Sequence, residues 1–176
     1  MIDQQRAGHD PSIAKVVLKL GNSISTDAIY PGRYMATVLP AETPQYAFAD
    51  QAELNQRLRS GQAPPGSAIV SGVNFGCGSS REQAVSCLKG YELAIVARGF
   101  ARIFLQNCIN LGLRTFVCPD IEASEGDELE IGEDYTLNRT TGKRFALEPQ
   151  PASRRAIVDA GGLIPYTRRR LIEKNK

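Results

Sequence analysis

The sequence predicts an α/β domain, and three observations point to it. Between residues 68 and 118, short apolar runs alternate with stretches of helical pattern, as in parallel βαβ units. From 128 to 147 the helical stretches disappear and three short β-type runs follow one another. The length, 176 residues, is ordinary for a single domain and allows a sizeable core. We expect a mobile N-terminal extension at 1–13, one domain at 14–170 and a C-terminal tail at 171–176.

In chain order, Ala14 to Leu20 reads as a strand, and Gly21-Asn22-Ser23-Ile24-Ser25-Thr26-Asp27 is rich in residues that bond their own backbone in turns. Pro31-Gly32 and Pro40 bracket a shaped, irregular loop. Thr43-Pro44 can open a helix whose apolar side is Tyr46, Phe48, Leu54 and Leu58 and which stops at Gly61. Ala68 to Val73 is β-branched and apolar enough for a buried strand. Next come a helix from Glu82 to Lys89, a strand from Leu93 to Ala97, a helix from Ala101 to Asn110 and a strand from Thr115 to Cys118. Three strand-like runs follow, at 128–131, 135–137 and 144–147, with a turn at Thr141-Gly142. A closing helix near Ser153 to Ala160 ends at Gly161-Gly162, where a left-handed residue is favoured.

Composition excludes several functions. Hydrophobic residues make up 42% and charged residues 23%, which leaves no support for disorder, coiled coil or a collagen-like repeat. The net charge is only +2, and the one dense basic run, Arg168-Arg169-Arg170 with Lys174 and Lys176, lies at the end without interleaved aromatics. It reads as a solvated terminal turn, and nucleic acid is not an expected partner. No stretch approaches the roughly 18 apolar residues of a membrane span, and the first ten residues lack the core of a signal peptide, so a cytoplasmic chain is expected. Cys77, Cys87, Cys108 and Cys118 contain no C-x-x-C pair and read as reduced thiols, so no metal site is expected in this chain. The single histidine, His9, precedes the first strand, which removes Ser-His-Asp and Cys-His chemistry unless a partner chain supplies an imidazole.

One segment carries chemistry. Val73-Asn74-Phe75-Gly76-Cys77-Gly78-Ser79-Ser80-Arg81-Glu82-Gln83 joins a strand to a helix through two glycines, two hydroxyls and an arginine. Glycines let backbone N–H groups approach an anion, the helix start adds positive potential, and a guanidinium grips a carboxylate with parallel bonds. Phosphate and carboxylate fit equally well. The same residues would also make a plain glycine-rich turn with Ser79 or Ser80 as helix N-cap. The spacing is neither G-x-x-x-x-G-K-[ST] nor G-x-S-x-G, and it lacks the dinucleotide fingerprint.

Asn74 to Glu82 resembles the hallmark of the aconitase and isopropylmalate isomerase family. The resemblance continues through Ala97-Arg98-Gly99-Phe100-Ala101-Arg102-Ile103-Phe104, Asn107 to Leu113 and Gly161-Gly162-Leu163-Ile164-Pro165-Tyr166, and upstream through Ser25 to Tyr34. It covers nearly everything after about residue 14 in the same order. Asn22, Tyr30 and Gln83 depart from the usual aspartate, aliphatic residue and histidine.

The resemblance implies a swivelling three-layer β/β/α domain that acts as the small subunit of a two-subunit hydro-lyase. It implies Ser79 as the base, Ser80 and Arg81 as the groups that bind substrate carboxylate, and Asp27 as a supporting active-site group, an Asx turn being the simpler role for that aspartate. It also implies a [4Fe-4S] cluster on a large-subunit partner, no cofactor in this chain, and a small hydroxy di-acid as substrate. Met35, Ala36 and Thr37 match a loop that touches the variable substituent of the substrate. Homoaconitate-type relatives resemble Tyr-Leu-Arg-Thr there, so Ala36 in the arginine position points to an apolar substituent, with 2- and 3-isopropylmalate first and a methyl-substituted malate second. Homoaconitase or dimethylmalate/citramalate-type dehydratase small subunits are the enzymic alternatives. A stand-alone carboxylate-binding regulatory module is the non-enzymic one.

Overall fold

The structure, a computed structural model, describes residues 11–174; the expectations placed on His9, and on residues 1–10 and 175–176 generally, lie outside the described residues. β1 (Ser12–Lys19), β2 (Ala68–Ser71), β3 (Ala94–Ala97) and β4 (Arg114–Val117) run parallel, and β5 (Glu128–Ile131), β6 (Tyr135–Asn138) and β7 (Lys143–Ala146) continue the sheet antiparallel. The order is β4-β3-β2-β1-β5-β6-β7. β2 and β3 are buried at every position, which is why both read as unbroken apolar runs rather than as alternation.

β1 is the hinge between the halves. It pairs with β2 on one edge and with β5 on the other, and its register with β2 breaks between Val16 and Leu18. The sheet curls there, so that Val70 and Val96 of the parallel half share one cluster with Leu129, Ile131 and Leu147 of the antiparallel half. Beyond β7 the chain returns to the far edge, where Glu148 N donates to Val117 O at 2.9 Å. The outer face of the parallel half carries the other cluster, with Leu18, Ile69 and Ile95 beneath α3 (Glu82–Gly90) and α4 (Arg102–Leu111). Sheet, folded-over sheet and helices make the three β/β/α layers the resemblance implied.

The expected helix across 43–60 divides. Thr43–Tyr46 is a single 3₁₀ turn, and α2 spans Ala52–Arg59. Between them Phe48, fully buried, takes a positive φ of 53° and donates its N–H to Ile29 O at 2.7 Å, and that conformation cannot continue a helix. A short α1 occupies Thr26–Ile29 within the expected polar loop.

Both outer boundaries differ from expectation. β1 begins at Ser12, inside the segment assigned to the extension. After α5 (Ala152–Asp159), α6 runs from Leu163 to Lys174, so Leu171 to Lys174 are helical rather than tail. Gly161 and Gly162 do stop α5, at φ 89° and 124°. Pro165 does not prevent a new helix, because it stands in the first turn of α6 where an N–H has no intrahelical acceptor.

Candidate active site

Three loops meet at the carboxyl ends of β1, β2 and β3, the place where open parallel sheets present ligand-binding groups. The middle loop is held from both sides. Phe75 N donates to Gly99 O at 3.0 Å and Ala101 N to Phe75 O at 2.9 Å, while Gly76 N donates to Ile24 O at 2.7 Å and Thr26 N to Cys77 O at 2.8 Å. The Thr26 hydroxyl donates to Ser79 O at 2.8 Å, fixing the serine's backbone. Phe75, fully buried, anchors the loop with its ring edge-on to Phe100 and Phe104 at 6.0 and 5.4 Å. Gly76 has no substitute here: its φ is +79°, and a Cβ would fall 2.0 Å from Phe104 Cγ.

The geometry rules out the capping use of the serines. The residue at the N-cap of α3 is Arg81, with no side-chain cap bond, so neither Ser79 nor Ser80 caps the helix. Both are exposed. Asn107 Nδ2 lies 3.5 Å from Ser80 Oγ as a long donor, and among the described residues nothing bonds Ser79 Oγ.

Asp27 is not an Asx cap either. Ser25 Oγ caps α1 by accepting from Ala28 N at 3.0 Å, and the Asp27 carboxylate forms an ion pair with Arg81 Nη1. The same Nη1 donates to Tyr30 O at 3.0 Å, so two acceptors aim a guanidinium whose side chain is only 15% exposed.

Ser79, Ser80 and Arg81 line a cavity of about 240 Å³ with Thr26, Gly78, Arg102 and Asn107. Ala101, Ile103 and Phe104 supply its apolar wall. Arg102 and Asn107 lie in runs quoted for the family resemblance, yet periodicity read those runs only as a helix. Their place on the site comes from the Phe75–Phe104 packing, which no local pattern reveals. Asp27, Met35, Ala36 and Thr37 do not line this cavity.

The loop of Met35 to Thr37 is tied through backbone to Tyr30 and to α3. Tyr30, whose carbonyl holds Arg81, donates its hydroxyl to Tyr34 O at 3.1 Å, and Gln83 Nε2 of α3 donates to Met35 O at 3.3 Å. Two of the departures from the family pattern, Tyr30 and Gln83, therefore help to set this loop. Arg33 is paired with Asp50 and lies 4.6 Å from the Tyr34 ring centroid, and Tyr34 stacks on Tyr46 at 4.1 Å.

The three buried thiols are poor ligands or nucleophiles. Burial raises the pKa of Cys87 and of Cys108, and pushes Cys118 up to about 11. Among the described residues, no group of three or more His, Cys, Asp or Glu is placed to hold a metal ion, and no helix is long and apolar enough to cross a membrane.

Residues 6–120 match the family described as the aconitase C-terminal domain, which is more than half of the chain. The chain belongs to the aconitase C-terminal domain family. Members with curated names include the 3-isopropylmalate dehydratase small subunit of Methanosarcina mazei, 40% identical over 161 residues that span 89% of this chain and 96% of the relative. The isopropylmalate/citramalate isomerase small subunit of Methanocaldococcus jannaschii is 39% identical over 163 residues, 89% of this chain and 94% of the relative. The crystal structure of 3-isopropylmalate dehydratase from the same organism matches the fold with a TM-score of 0.84 at 34% identity, over 94% of this chain and 98% of that one. The curled seven-stranded sheet is thus the architecture of an aconitase C-terminal domain.

Proposed function

We propose that this chain is the small subunit of a hydro-lyase that interconverts 2-isopropylmalate and 3-isopropylmalate by dehydration and rehydration, as in leucine biosynthesis, and that it works only with a large subunit. The observation that carries the reading is a cavity in which Ser79, Ser80 and Arg81 converge, in a chain about 40% identical over nearly its whole length to relatives of that name.

The reaction takes a proton from a carbon beside a carboxylate, removes hydroxide from the neighbouring carbon, and adds water back in the opposite sense. Arg81 and Ser80 bind the carboxylate that gains charge as the proton leaves. Asp27 and Tyr30 O hold the Arg81 fork in place, and Ser79 Oγ accepts the proton. A serine is a poor base unless its alkoxide is stabilised, and the Arg81 guanidinium with the first turn of α3 supplies positive potential there. Departing hydroxide needs a Lewis acid, which a [4Fe-4S] cluster supplies when bound. The scattered, largely buried thiols of this chain do not fit such a cluster, so we assign it to the large subunit and derive no step through it.

The test is co-expression with an iron–sulfur large subunit and anaerobic assay against isopropylmalate, citramalate and homoaconitate. Turnover of isopropylmalate by the complex and by neither chain alone is expected. A complex that assembles and prefers homoaconitate overturns the substrate assignment, and turnover by this chain alone overturns the division of labour.

A further inference from the structure

The proposed substrate is a dianion, and Arg81 is not equipped to hold both of its carboxylates. Its Nη1 donates to Tyr30 O and stands in an ion pair with Asp27. The remaining Nη2 and Nε donors can form one fork on one carboxylate. Asp27 also sets a negative charge beside Arg81. A second carboxylate brought into this cavity on Arg81 alone would be desolvated without a cation.

The cavity carries one other guanidinium. Arg102, the first residue of α4, lines it alongside Ser79, Ser80 and Asn107, and is exposed. Every acidic side chain that forms an ion pair among the described residues does so with a residue other than Arg102, and no hydrogen bond engages its side chain. Its backbone is not free to drift, because Ala101 N is bonded to Phe75 O and Phe104 packs edge-on to Phe75. An unpaired guanidinium is thus mounted on a rigid helix start in the same cavity as the loop that carries the serines.

We propose that Arg102 is a substrate-binding residue that takes the second carboxylate of the di-acid, while Arg81 and Ser80 take the one that gains charge. This rests on the functional reading above and extends it: the site selects a dicarboxylate by two guanidiniums, one pre-oriented by an aspartate and one left unpaired for the ligand. A free guanidinium gains more from a carboxylate than one that must first release an acidic partner.

The experiment uses the complex with the large subunit and measures by calorimetry the affinities of succinate and of its monoamide, succinamate, for wild type, Arg102→Gln and Arg102→Lys. Wild type is expected to prefer succinate by roughly tenfold or more, the worth of a charge-assisted pair. Arg102→Gln should abolish that preference, and Arg102→Lys should keep part of it. KM for isopropylmalate should rise in Arg102→Gln by a similar factor, with a smaller change in kcat. A preference for succinate undiminished in Arg102→Gln overturns the inference, as does a wild type without one. So does an unchanged KM together with weakened subunit association, which would place the guanidinium on the partner instead. Wild-type turnover of isopropylmalate in the same preparation tests the functional reading separately, since the binding comparison does not depend on turnover.

Discussion

At the scale of single residues, the decisive feature is what Ser79 does not do. A serine just before a helix is usually spent as an N-cap, and sequence alone allowed that role for Ser79 or Ser80. Here Arg81 occupies the cap position, Thr26 holds the Ser79 carbonyl, and the hydroxyl is left over. In the proposed assignment Ser79→Ala therefore lowers kcat of the reconstituted complex by at least about a hundredfold, the scale of a lost acid–base group, with subunit assembly intact. Arg81→Lys keeps the charge and loses the fork, so KM should rise by roughly tenfold while kcat falls less. Steady-state kinetics on both variants checks the pair, and near wild-type kcat in Ser79→Ala would remove the base assignment. Ser79, Ser80 and Arg81 stand in one motif and Asp27 in a separate run upstream, and both runs could be read locally. The Asp27–Arg81 ion pair could not, since it joins residues 54 positions apart through the pairing of two loops.

Among the elements, the strands were read to within a residue or two because β2, β3 and β4 are short and bounded by turn residues. Elements set by tertiary contacts were misread: the helix across 43–60 breaks because Phe48 goes into the core, and α6 forms beyond a Gly-Gly stop. The glycine loop shows how tightly such contacts constrain one position. Gly76→Ala would place a methyl in the Phe104 ring and force a left-handed backbone, and Phe104, 3% exposed, has nowhere to go. A loss of roughly 3 kcal/mol or more in urea unfolding is expected. The loop of Met35 to Thr37 offers the opposite case. Ala36 is exposed and Arg33 is already paired, so Ala36→Arg should leave stability within about 0.5 kcal/mol. It should shift the kcat/KM ratio toward homoaconitate, because a third carboxylate would otherwise be unpaired. An unchanged ratio would detach this loop from substrate choice.

Over the whole molecule, the curl of the sheet was the least legible feature, because β1 reads the same whether its second neighbour is parallel or antiparallel. The seam where it turns is held by two carboxylates. Asp127 accepts from Ser124 N and from Asn138 Nδ2, both at 2.8 Å, tying the entry of β5 to β6, while Val16 N donates to Asp127 O. Glu125 accepts from Arg57 and from Lys19 N, joining α2 and the end of β1. These bonds favour the charged forms. The backbone N–H of Ser124, then Asn138, lowers the pKa of Asp127 below its ordinary 3.8, and Arg57 lowers that of Glu125 below 4.5. A carboxylate whose pKa is depressed on folding binds fewer protons in the native state than in the unfolded chain. Its contribution is therefore fully present above the unfolded value and is lost as the pH falls through the lower, folded value. Stability should be flat from pH 7 to about 5 and decline below about 4, with the seam loosening first. Asp127→Asn loses the charge-assisted bonds at neutral pH, so its urea midpoint should be lower at pH 7, and the gap to wild type should narrow as the pH approaches 3. Urea titrations of both chains at each pH measure this directly, and two parallel curves would show that Asp127 contributes nothing to acid sensitivity.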